Sequence, residues 1–279
     1  MHNENYSPSN TAPPIIMSLS LHDPSGGSGI QADIETANSL GCHCTPVITT
    51  LCAQDTCEIK DISPVPSSLL IAQARAILED MPVKIIKIGY PGSIENIEAI
   101  HSILRDYPDI PVVFDPTTRI AQDESESPEH LFDAMRTLLL PLTSIVICNL
   151  SEAYDLAHQA DTLDACAQEI LESGCEHLLL SGSRTSKDLF ESFLYNSNGI
   201  VKSFSRERLK IISRGHGTTL SAAIACYLGH SLNTIEAIEQ AQCFTWQSLS
   251  RHRRLGMGKH FLNRFFWTDE SNKSIKSKH

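Results

Sequence analysis

Short apolar runs alternate with helical patterns along almost the whole chain, and this alternation constrains the fold more than any other feature. Residues 15–21 read as a strand, followed by a Gly-rich turn and a helix from about residue 29 to residue 40. Residues 47–51, 83–88, 112–114, 144–148 and 177–180 read as further strands. Between them lie helical patterns that start at Pro66-Ser67, at Ile94, at Pro128, at Ser151 and at Leu163. In the first, Leu70, Ala74, Ile77 and Leu78 share one face. Residues 189–195 and 199–204 read as a hairpin that turns near Asn196-Ser197-Asn198. Helices over 218–228 and 234–252 close the pattern. Strand-helix alternation of this kind joins parallel strands by right-handed crossovers. The expected fold is therefore α/β, a three-layer α/β/α sandwich around a mostly parallel sheet. No linker or repeat interrupts residues 15–267, which read as one domain, with polar segments 1–14 and 268–279 as flexible tails.

The composition excludes several function classes. With 279 residues the chain can bury a substantial core, and 41% hydrophobic residues argue against disorder. A formal charge of −11 argues against nucleic acid as a partner, since such proteins carry a clustered basic face. The N-terminus lacks a basic start followed by an apolar run, so it does not read as a signal peptide. No apolar run approaches the roughly 20 residues that span a membrane. Nine cysteines fall in no metal-like spacing, and Cys42-x-Cys44 is too tight for a C-x-x-C knuckle. Reduced, structural thiols in a cytoplasmic protein are the expectation.

Candidate chemistry gathers where strands end, because ligands of open α/β sheets bind at the carboxyl ends of the strands. Arg214-Gly215-His216-Gly217-Thr218-Thr219 leads straight into an Ala-rich helix. The first N–H groups of a helix have no internal partner, and the dipole there is positive, so this segment is a candidate phosphate cradle. Asp23-Pro24-Ser25-Gly26-Gly27-Ser28-Gly29 forms a second glycine turn. Asp23 reads either as a ligand-binding carboxylate or as a turn and cap residue. Gln54 reads either as an amide that faces a polar ring or as a loop residue. Asp115 and the pair Asn149/Glu152 follow buried strands, and hard oxygen ligands suit Mg²⁺. Asn149-Leu150-Ser151-Glu152 equally resembles a helix start. Tyr90 and Ser181-Gly182 also follow strands. Arg251-His252-Arg253-Arg254 reads as a solvated helix end, with contact to an anion as the alternative.

These residues together resemble a known family. Asp23-Pro24-Ser25-Gly26-Gly27-Ser28-Gly29-Ile30-Gln31-Ala32-Asp33 is similar to the N-terminal signature of the hydroxymethylpyrimidine/phosphomethylpyrimidine kinases of thiamin synthesis, members of the ribokinase-like superfamily. Val47-Ile48-Thr49-Thr50, Lys87-Ile88-Gly89, Val112-Val113-Phe114-Asp115-Pro116, Asn149-Leu150-Ser151-Glu152-Ala153 and Gly217-Thr218-Thr219-Leu220-Ser221 continue the likeness, which covers about residues 15–262. The resemblance implies a ribokinase-like fold and a homodimer. It also implies ATP- and Mg²⁺-dependent phosphorylation of a pyrimidine hydroxymethyl group and of the resulting monophosphate. Asp23 and Gln54 would hold the aminopyrimidine, with Tyr90 in the substrate pocket. Asp115 and Glu152 would position magnesium. Asn149, Ser181 and His216 would face the nucleotide, and Gly215, Gly217 and Thr218 the moving phosphoryl group.

The chain departs from the pattern at three places. Thr218 stands where the family usually has Cys, and Ser181 where it has Lys. Leu21-His22 replaces Gly-Ser. A thiol ionises near pH 8.5, whereas an aliphatic hydroxyl effectively does not, so Thr218 is a poor general base. Arg214, His216 or Arg184 could replace the lost cation. Two alternatives stand beside the kinase reading: a non-catalytic pyrimidine-binding homologue that acts as sensor or partner subunit, and a related kinase of the pyridoxal type.

Overall fold

The computed structural model describes residues 12–117, 128–157, 160–183 and 188–268. Arg184 and most of both expected tails (1–11 and 269–279) lie outside the described residues. Among the described residues, nine strands form the main sheet: β1 (Ile15–His22), β2 (His43–Gln54), β3 (Ile59–Pro64), β4 (Val83–Ile88), β5 (Val112–Phe114), β6 (Ile145–Asn149), β7 (His177–Ser183), β8 (Leu189–Asn196) and β9 (Gly199–Glu207). Their spatial order is β3-β2-β1-β4-β5-β6-β7-β8-β9. The six strands from β2 to β7 in that order run parallel, while β3, β8 and β9 pair antiparallel at the two edges.

Alternation along the central strands fixes the three layers. Met17, Ile86, Val112, Phe114, Val146 and Leu178 face one apolar cluster, while Ile16, Ile85, Val113, Ile145 and Leu179 face the other. A strand buried on both faces needs such a continuous apolar run. The first cluster packs under α2 (Ser67–Asp80), α3 (Ile94–Asp106), α4 (Pro128–Ala134), α5 (Leu150–Leu156) and α6 (Leu163–Glu172). The second packs under α1 (Gly29–Ser39), α7 (His216–Gly229) and α8 (Thr234–Ser250). Ser221, Ala222, Ala223 and Ala225 give α7 a narrow waist, so it lies close against the sheet. The expected sandwich is therefore the observed one.

Two features differ from the sequence reading. The strand expected over 47–51 extends over the whole of β2, because Thr45, Thr49 and Thr50 are buried polar positions that an apolar count passes over. β3 was not expected, because an edge strand with exposed Lys60 and Asp61 shows no apolar run. A small parallel pair, β10 (Ser213–Arg214) with β11 (His260–Phe261), lies outside the main sheet and leads into α7. The strand order reverses at β1, with β2 on one side and β4 on the other. The crevice above the carboxyl ends of β1, β4 and β5 is the topological switch point.

Candidate active site

Above that crevice lies an open cleft of about 610 Å³. Ten of the eleven site residues expected from sequence line it: Gln54, Tyr90, Asp115, Asn149, Glu152, Ser181, Gly215, His216, Gly217 and Thr218. They come from the ends of β2, β4, β5, β6 and β7 and from the first turn of α7. Gly217 and Glu152 thus share one cavity.

Asp23 is the exception. Its carboxylate is fully buried and accepts four hydrogen bonds of 2.6–2.8 Å, from the backbone N–H and hydroxyl of Ser25 and of Ser28. Burial works against its charge, but these bonds, with Gln54 beside them, outweigh it and hold the carboxyl below its ordinary range. Asp23 shapes the glycine turn, which is the turn-and-cap reading of its sequence position.

The two glycines of the second loop do different work. Gly215 caps α7 in the left-handed region at φ 83°, and a Cβ there would run into the Gly27 carbonyl. Glycine is therefore required by the backbone, where the two glycine turns touch. At Gly217 a Cβ would meet only the Asp115 carboxylate, at an ordinary 3.8 Å. The fold does not need that glycine; its effect is to leave the space between the α7 N-terminus and Asp115 open. Arg264 braces this arrangement from beneath. It is buried, donates to the Gly26 and Gly27 carbonyls and to Thr219 Oγ1, and pairs with Glu35 at 2.9 Å. Sequence reasoning missed it, because one Arg in a C-terminal apolar stretch carries no local signal.

Carboxylates face the loop. Asp115 is 4% exposed, accepts a hydrogen bond from Ser221 at 3.0 Å, and is raised by burial, with Lys87 acting against the shift. Burial first and the Asp115 charge second push Glu152 up to about 8. Two neighbouring carboxylates whose charged forms are disfavoured by burial are what a divalent cation relieves. Asn149 and Glu152 also form a capping box: Asn149 Oδ1 accepts from Ser151 and Glu152 N–H, and Glu152 accepts from Asn149 N–H. The helix-start reading of this tetrapeptide therefore holds, and it turns Glu152 toward the cleft. Only one Glu152 oxygen is used by the cap, so the donor set still fits Mg²⁺, which takes one or two carboxylates and completes its shell with water and phosphate.

Cations enter from positions that sequence reading weighed lightly or not at all. Lys87 is 1% exposed and pairs with Asp33 at 3.1 Å under the cleft floor. Arg214 reaches Gln54 Oε1 at 2.5 Å, and Lys259 lines the same cleft, its N–H bonded to the Thr56 carbonyl. His216 does not supply a charge: burial pushes it down to about 4, and it packs edge-on against Phe190 at 5.5 Å. Ser181, in the place of the family Lys, donates to the Cys148 carbonyl. The thiols expected to be structural are buried, except exposed Cys57 and half-buried Cys243.

The family model for phosphomethylpyrimidine kinase matches residues 23–263, nearly the whole described domain. The chain belongs to the phosphomethylpyrimidine kinase family. It is 30% identical over 265 residues to a hydroxymethylpyrimidine/phosphomethylpyrimidine kinase of Rhizobium meliloti, covering 91% of this chain and 99% of that one. Its counterpart in Aquifex aeolicus is 27% identical over 254 residues, covering 89% and 99%. Among solved structures, the phosphomethylpyrimidine kinase of Clostridium difficile superposes with a TM-score of 0.71 at 26% identity, over 85% of this chain and 99% of that one. An ADP complex of Bacillus subtilis pyridoxal kinase gives 0.82 at 23% identity, over 92% and 99%, a likeness of fold. Family and fold agree with the geometry: the chain is a ribokinase-like kinase.

Proposed function

We propose that the chain transfers the γ-phosphoryl group of ATP to 4-amino-5-hydroxymethyl-2-methylpyrimidine, to its monophosphate, or to both, with Mg²⁺ held at Asp115 and Glu152. One observation carries this reading: the N-terminal turn of α7 faces two buried carboxylates, both raised above their ordinary range, across a single cleft. A magnesium ion at those carboxylates would neutralise phosphate charge. The remaining work falls to the chain. Amides at His216, Gly217 and Thr218 hold the transferring oxygens, with Arg214 and Lys259 nearby. The substrate hydroxyl attacks the γ-phosphorus in line: an O–P bond forms, the bond to the leaving diphosphate breaks to release ADP, and the hydroxyl proton passes to water. Such transfer depends mainly on positioning and charge stabilisation, so the hydroxyl of Thr218 does not abolish it. Loss of a general base costs about 10²–10⁴-fold.

The nucleotide base has a place beside the cleft. A cavity of about 520 Å³ walled by Leu220, Trp246 and Leu249 shares Phe190, Ser213 and His216 with it. Arg206 Nε, Gln242 Nε2 and Thr245 Oγ1, from residues that line the cavity, are buried without partners, as a polar heterocycle would require. The pyrimidine fits the other end, near Gln54 and Tyr90, which line the cleft there. Residues 15–267 act as one domain in this reading, in a cytoplasmic homodimer with small-molecule partners and neither nucleic acid nor membrane. Among the described residues no helix is long and apolar enough to cross a membrane.

Coupled assays with the pyrimidine alcohol, its monophosphate and pyridoxal test the proposal. ATP-dependent product from either pyrimidine is expected. Folded protein that yields product from pyridoxal alone supports the pyridoxal-type alternative. Pyrimidine binding without turnover, unrescued by Ser181→Lys with Thr218→Cys, supports the sensor alternative.

A further inference from the structure

A third pocket, of about 530 Å³, shares Lys259 with the cleft and Lys210, Ile211 and Ile212 with the cavity assigned to the nucleotide base. Its other polar walls are Lys210, His252, Arg254 and His260, and among the described residues no acidic one lines it. In a chain of net charge −11 this is a local reversal of sign. The pocket is built rather than incidental. Arg253 and Phe261 exchange backbone hydrogen bonds of 2.8 and 2.9 Å, His260 N–H donates to the Ile212 carbonyl, and Lys259 N–H donates to the Thr56 carbonyl. Gly258 N–H donates to Thr56 Oγ1, and no side chain would fit at Gly258 against the Thr56–Cys57 backbone. Arg254 is held by the Met257 carbonyl at 3.3 Å. The His252 and His260 rings lie 4.6 Å apart, and His260 Nδ1 is buried without a partner.

Lys210, Arg254 and Lys259 have no carboxylate partner among the described residues. Converging cations repel one another, and a multivalent anion relieves that repulsion. Phosphate chemistry matches it, because Arg takes two phosphate oxygens in its planar fork and Lys adds point charge. Ile211 and 76%-exposed Ile212 add an apolar wall.

We propose that Lys210, His252, Arg254, Lys259 and His260 form a second anion site, adjoining the transfer cleft at Lys259 and the base cavity at Lys210, that binds a small molecule bearing a phosphate or diphosphate group. The Arg251–Arg254 run thereby contributes to an anion site instead of only ending a helix.

Calorimetry on the full chain tests this, with the transfer cleft first saturated by a non-hydrolysable ATP analogue. Inorganic pyrophosphate and phenyl phosphate are the two probes. Binding of either, weakened at least tenfold in Lys210→Ala/Arg254→Ala, is the expected result; both positions are exposed, so the variant folds. Preference for phenyl phosphate marks an organic ester as the source, and preference for pyrophosphate an inorganic one. Lys210→Glu is the second variant and abolishes binding. No binding of either probe to the wild type, or binding unchanged in both variants, overturns the proposal. Failure of the ATP analogue itself to bind counts against the kinase reading instead, and the probes are then titrated into the free protein with the same variants.

Discussion

Glu152→Gln separates the electrostatics of the acid pair from its shape. Glutamine keeps the acceptor that Asn149 N–H uses in the capping box, so the helix start survives. What changes is the charge. Burial and the neighbouring Asp115 raise Glu152 from its ordinary 4.5 to about 8. The folded state therefore binds a proton that the unfolded chain releases, and the sign follows from that. Below about pH 4.5 both states are protonated and Glu152 costs nothing. Between there and about pH 8 the cost of keeping it in place grows, and above about pH 8 it is fully present. At ~1.4 kcal/mol per pH unit the shift corresponds to about 5 kcal/mol, and partial solvent contact reduces this to about 2–4 kcal/mol. Without magnesium, urea unfolding should show Glu152→Gln more stable than wild type by that amount at pH 8.5 and nearly equal at pH 4.5. Added Mg²⁺ and nucleotide should stabilise the wild type and much less the variant. Equal unfolding midpoints at pH 8.5, or a difference that persists at pH 4.5, would refute the argument that burial and the Asp115 charge disfavour the Glu152 carboxylate.

Other substitutions test separate parts of the site. Gly215→Ala should lower stability by at least about 2 kcal/mol, because its φ of 83° and the Gly27 carbonyl leave no room for a Cβ; thermal unfolding measures it. Gly217→Ala should leave stability unchanged or gain up to ~1 kcal/mol of helix propensity, yet cut kcat at least tenfold, because its methyl enters the space facing Asp115; loss of stability instead would mean the glycine serves the fold. Thr218→Cys should raise kcat about 10–100-fold and introduce a rise in rate toward pH 8.5, read from a pH–rate profile. Arg264→Met should cost about 2–4 kcal/mol in urea unfolding, since it strands the Gly26 and Gly27 carbonyls and Thr219 Oγ1, while Glu35, 42% exposed, can rehydrate.

Much of this molecule is written locally. The continuous apolar runs of β1, β4, β5, β6 and β7 made the parallel sheet legible, because burial on both faces leaves such a signal. The polar residues that follow those strands had to sit at one edge of the sheet, which is why ten expected site residues meet in one cleft. Other features depend on neighbours distant in sequence. Asp23, by contrast, is fixed locally: Ser25 and Ser28, two and five residues on, fold back onto both its oxygens and make it a turn residue. His216 is neutral because Phe190 and its surroundings remove it from water. Arg264 supports two loops about 240 and 45 residues away in sequence, and Lys87 lies beneath the acids only because β4 lies beside β5. Local sequence determines which backbone forms and which face is apolar, since those depend on near neighbours and on water. Charge state, hydrogen-bond partner and burial of a polar group depend on what the folded chain brings against it, and only the tertiary structure decides that.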